Sequence, residues 1–65
     1  SEGTVSNEEI KADAFAVDYL GTNNVILGLE TLQQIIENKY KDYDSDSVVT
    51  TINELKMRVQ HLLES

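Results

Sequence analysis

An all-α fold, a small antiparallel three-helix bundle, is expected of this chain on three grounds. Val48, Ile52, Leu55, Val59 and Leu62 recur in 4-3-4-3 spacing, and Val25, Leu29, Leu32 and Ile36 repeat that pattern earlier. This is the spacing of a helix seam that packs against other helices. Proline is absent and only three glycines occur, so no hard breaker interrupts the chain after its first residues. Two short polar segments, around Gly21–Asn24 and Asp42–Ser47, divide the periodic stretches into three. Short connections make successive helices antiparallel neighbours.

The first helix is expected over about residues 6–20. Ser6 and Glu9 form an S-x-x-E capping box, in which side chain and amide are satisfied reciprocally. Val5 before the cap and Ile10 inside it occupy the two positions of a hydrophobic staple. Glu8 and Glu9 complement the positive end of the helix dipole. Gly21 suits a left-handed C-cap. The second helix is expected over about 23–40, with Thr22 or Asn23 as its cap and Lys39 and Lys41 at its negative end. Asp42–Ser47 supplies several possible caps for a third helix over about 46–63, and capping by Asp44 would pair Tyr43 with Val48 as a second staple. A helical hairpin that becomes compact only as a dimer is the competing architecture.

Sixty-five residues make one domain at most. Residues 1–5 read as a flexible lead-in and 6–65 as a single helical module. A first residue Ser1 rather than Met suggests excision from a larger protein. A domain this small buries roughly 60% of the surface its unfolded chain exposes, so good packing or association must hold it together. Cysteine is absent, which excludes disulfides and thiolate metal sites and is compatible with cytosolic and secreted settings alike.

The formal net charge is −7. Lys11, Lys39, Lys41, Lys56 and Arg58 form no continuous stripe, so neither nucleic acid nor an anionic membrane is an expected partner. No apolar run approaches the ~18 residues of a membrane span.

Chemistry is sparse. Asp42, Asp44 and Asp46 stand at positions 1, 3 and 5 of a calcium-loop pattern, but Ser47 replaces the required glycine and Asn53 the required glutamate. They are weak metal candidates, and a solvated capping loop is the favoured reading. His61 lies outside the seam with no nucleophile or triad-like set beside it. Asp13 and Asp18 diverge by about 140° on a helix and do not make a paired-carboxylate site. Enzymatic activity, a cofactor and a small-molecule substrate are therefore not expected.

The first helix departs from the one-faced rule. Ile10, Ala14 and Val17 form one stripe; Ala12, Phe15, Ala16 and Tyr19 form another on nearly the opposite side. Two stripes imply a wide core face or two different neighbours. Ile26 and Leu27 flank the second seam, and Gly28 sits inside a helix where close backbone approach would justify it. The expectation is a protein–protein interaction or dimerisation module. Phe15, Tyr19, Leu20, Ile26 and Leu27 are its candidate contacts, and its expected partner is another protein or helix, a second copy among them. A passive spacer module and an acidic regulator of a basic surface are the alternatives.

Overall fold

The computed structural model describes residues 5–64. Three helices follow one another: α1 (Asn7–Leu20), α2 (Thr22–Lys39) and α3 (Asp46–Glu64). They form the small antiparallel bundle expected of the sequence. The lead-in expected over residues 1–5 lies, for Ser1–Thr4, outside the described residues, and Val5 is half-buried.

The α1 start obeys its capping box. The Ser6 hydroxyl accepts from the Glu9 amide at 3.2 Å, and Glu9 Oε1 accepts from the Ser6 amide at 3.2 Å. The end of α1 differs from the expected left-handed cap. Gly21 has φ 85° and ψ 152°, whereas a left-handed residue has ψ of about +47°. That backbone region is open essentially to glycine alone. Gly21 is the C-cap of α1 and the N-cap of α2 at once, because no other residue separates the two helices. Neither Thr22 nor Asn23 caps α2: Thr22 is already helical, and no side chain caps the first turn. The nearby Asn24 side chain turns the other way and donates to the Leu20 carbonyl at 2.7 Å, satisfying one of the carbonyls left over at the end of α1.

At the other connection, α3 begins at Asp46, and the Val49 amide donates to the Ser45 carbonyl at 3.2 Å. The cap position therefore falls on Ser45 rather than Asp44. Tyr43 is exposed and meets Tyr40 edge-on at 5.4 Å, with its amide donating to the Tyr40 carbonyl.

The core lies between α2 and α3, whose interface is the most extensive in the molecule. Its buried members are Val25, Leu29, Leu55, Val59 and Leu62, with Ala16, Val17, Ile26 and Ile36 packed around them. Leu55 is the most enclosed, at 3% exposure. One seam residue departs from expectation: Leu32 is exposed, as is Leu63 beside the α3 seam, because the wide apolar arcs of α2 and α3 overrun the strip their partners cover. Gly28 has no packing reason: a Cβ there would meet nothing within 4 Å.

Among the described residues of α1, the one that is buried is not apolar. It is Asp13, at 6% exposure.

Candidate functional site

Helix α1 sends Ile10 and Val17 one way and Phe15 and Tyr19 another, while Ala16, expected in the outer stripe, packs against the core. Ile10 and Val17 are half-buried. With Ala14 they line an open groove of about 220 Å³ whose far wall is His61 and Leu62 of α3. Phe15 and Tyr19 point outward, 65% and 76% exposed. One helical turn apart, they stack on each other with ring centroids 5.0 Å apart and planes tilted by 43°. Glu8, Lys11 and Ala12, all exposed, share that outer side of the helix, while Asp18 stands at its edge and lines the groove. The outer surface is thus an aromatic pair with one carboxylate and one ammonium beside it.

The other expected contacts are dispersed. Leu20 is exposed at the end of α1. Leu27 is exposed on α2, in a shallow surface whose other lining residues are Glu30, Thr31, Gln33, Gln34 and Glu37. That neighbourhood is polar and comes from α2 alone. Ile26 is half-buried and packs against the core cluster. Since α1 contributes no fully buried apolar side chain, α2 closes that flank of the core with Ile26, which leaves little of it for another molecule.

The polar feature that sequence reasoning passed over is the attachment of α1 to α3. Arg58 grips Asp13 with two parallel hydrogen bonds: Nε donates to Oδ2 at 3.0 Å and Nη2 to Oδ1 at 2.7 Å. This bidentate geometry is the strongest form of carboxylate recognition by a side chain. Glu9 Oε2 lies 3.8 Å from Nη1 of the same guanidinium. The Asp13 hydrogen bonds hold Arg58 more firmly in its charged form than usual, against the opposing effect of its partial burial.

Glu9 and Glu54 extend this cluster. Glu9 is held below the usual carboxylate range, first by the Ser6 backbone amide and then by hydrogen bonding with Glu54. Glu54 is raised, first by side-chain hydrogen bonding with Glu9 and then by the Glu9 charge. The signal for the clasp was present in the sequence. Asp13 falls among Ile10, Ala16 and Val17 on the wheel, and Arg58 immediately precedes the core residue Val59. Charges so placed need partners, and the chain holds one arginine.

The aspartates of the connector do not gather. Asp42, Asp44 and Asp46 are exposed, and among the described residues no group of three or more His, Cys, Asp or Glu side chains could hold a metal ion. Among those residues, too, no helix is long and apolar enough to cross a membrane.

The fold and this surface define a small acidic helical bundle with an exposed aromatic pair. Comparison with protein-family models, with curated proteins and with solved structures finds no match to the chain.

Proposed function

We propose that this bundle is a protein–protein interaction module that docks a basic amphipathic helix on the outer face of α1. The exposed Phe15–Tyr19 pair carries the reading: two stacked rings stand in solvent on a helix whose opposite side faces the bundle. Aromatic anchors of this kind supply much of the energy of helix-in-groove recognition. Charge selects the partner. At a net charge of −7, a lysine-rich partner is attracted at long range. Leu20, at the end of the same helix, is placed to extend the contact.

The test uses a helical peptide with leucine anchors flanked by lysines, titrated against the whole chain. The unsubstituted protein should bind it, more weakly at 500 mM salt than at 50 mM on the order expected for screened charges. Phe15→Ser with Tyr19→Ser should abolish binding while shifting stability by less than about 1 kcal/mol, as exposed side chains do. Equal binding by the double variant refutes the surface. A loss of more than about 3 kcal/mol would mean that the rings belong to the core.

A further inference from the structure

We propose that the face of the α2–α3 hairpin now covered by α1 also accepts α1 from a second copy, and that Gly21 is the hinge of this exchange. This inference does not depend on the outer-face docking proposed above, because Phe15 and Tyr19 take no part in it.

A single residue separates α1 from α2, and it holds φ 85°, ψ 152°. On either side of it the helical hydrogen-bond pattern is already running. The Gly21 amide donates to the Val17 carbonyl at 2.8 Å, and the Gly21 carbonyl accepts from the Val25 amide at 3.2 Å. Both are bonds of four-residue span, as in an uninterrupted helix. The first turn of α2 has no side-chain cap. If Gly21 rotates to helical angles, the Thr22, Asn23 and Asn24 amides gain Asp18, Tyr19 and Leu20 carbonyls as helical acceptors. Straightening therefore satisfies backbone groups at the bend.

The cost of straightening is the packing of α1. A continuous helix over residues 7–39 is about 50 Å long at 1.5 Å per residue, and its α1 half points away from its own α3. Asp13, buried against Arg58 in the closed form, would then lose its partner, as would Arg58. A second straightened copy restores both clasps by exchange. The contacts made by α1 are the same in either arrangement, and the exchange closes as a twofold dimer, so it does not propagate. Short hinges under strain favour such swaps. Glycine is the residue that best tolerates the observed bend, so the closed monomer depends on it.

The decisive variant is Gly21→Ala, which penalises the bend and favours the continuous helix. Light scattering over a dilution series should show its dimer dissociation constant lowered by at least about tenfold relative to the unsubstituted chain, with helical content preserved. Single cysteines then report who holds α1. Ala14→Cys and His61→Cys are both exposed positions on the α1–α3 groove. When the two single-cysteine chains are mixed in the Gly21→Ala background and oxidised, mixed disulfide dimers should outnumber the two like-with-like dimers together. A Gly21→Ala chain that stays monomeric, or that dimerises without this excess, overturns the proposal. Should Gly21→Ala fail to fold, the same mixing is done with Gly21 retained at millimolar concentration. Excess mixed dimers then support exchange, and their absence overturns it.

Discussion

Between α2 and α3 run Val25, Leu29, Leu55, Val59 and Leu62. Between α1 and that hairpin run a buried carboxylate and a guanidinium, with Ala16 and Val17 packed at the edge of the core. The two interfaces have different physics. The hairpin seam is built of apolar side chains, so its strength depends little on pH. The attachment of α1 is directional. A bidentate pair fixes rotation and register, but it contributes little net free energy once desolvation is counted. Hence α2 and α3 should form the stable unit, with α1 a latch whose position is specified more sharply than it is held.

The largest expected effect comes from the seam. Leu55→Ala removes the most enclosed side chain of the core, 3% exposed, and should cost about 3 kcal/mol. A domain of this length has a total stability of roughly 3–10 kcal/mol. Thermal and urea melts should therefore show loss of the cooperative transition, or a large drop in its midpoint, for all three helices together. A variant that lost α1 alone would reverse the assignment of the two units.

Arg58→Met should act on the latch instead. Methionine keeps much of the apolar stem but leaves Asp13 buried without a partner. The cost should be about 2 kcal/mol, less than the roughly 3–5 kcal/mol of a fully buried pair because the arginine side chain remains 21% exposed. Amide hydrogen exchange is the sharper readout. Amides of α1 should lose protection while those of Leu29 and Leu55 keep theirs. Adding Asp13→Leu to Arg58→Met should recover most of the loss, since an apolar pair of similar volume avoids burying a lone charge. Uniform loss of protection along the chain would show that the latch is not a separate unit.

How far these features could be read from the sequence follows the same division. The seam was legible because apolar spacing reports directly on which face is buried; Val25, Leu29, Leu55, Val59 and Leu62 all lie where the pattern puts them. The capping box of α1 was legible because it is local, with both partners three residues apart. The Asp13–Arg58 clasp joins residues 45 apart, and no local pattern pairs them; what could be seen was only a carboxylate placed on an apolar stripe. The cap of α2 was misplaced by about a residue because Thr22 and Asn23 are both competent cap residues; for α3 the connector offered several, Asp44 and Ser45 among them, and tertiary packing chooses among such residues. At the candidate surface, spacing separated the Phe15–Tyr19 stripe from the Ile10–Val17 stripe. Which of them faces outward depends on where the other helices pass. Ile26 shows the same dependence, since its packing against the core follows from how little α1 covers.

The smallest expected effect lies at the margin of the latch. Glu54 and Glu9 press two carboxylates together beside a single guanidinium that is already committed to Asp13. Because Glu54 is raised in the folded chain, the folded state binds a proton there more readily than the unfolded state. This contribution therefore favours folding as pH falls through the raised value, and opposes it where Glu54 is ionised. Glu9 has the opposite sign. Its carboxylate is depressed by the Ser6 cap, so its contribution is present above the unfolded carboxylate range and is lost as acid protonates it. The two trends partly cancel in the unsubstituted chain. Glu54→Gln separates them. It removes the like-charge repulsion while keeping a side chain that donates to Glu9, so the melting temperature should rise slightly at pH 7. The gain should shrink as pH falls toward the carboxylate range, where Glu54 in the unsubstituted chain is itself protonated. Below that range the two proteins should melt together. A gain that persists unchanged at pH 3 would locate the effect in packing or helix propensity, and the Glu9–Glu54 pair would then lose its place in the account of how α1 is held.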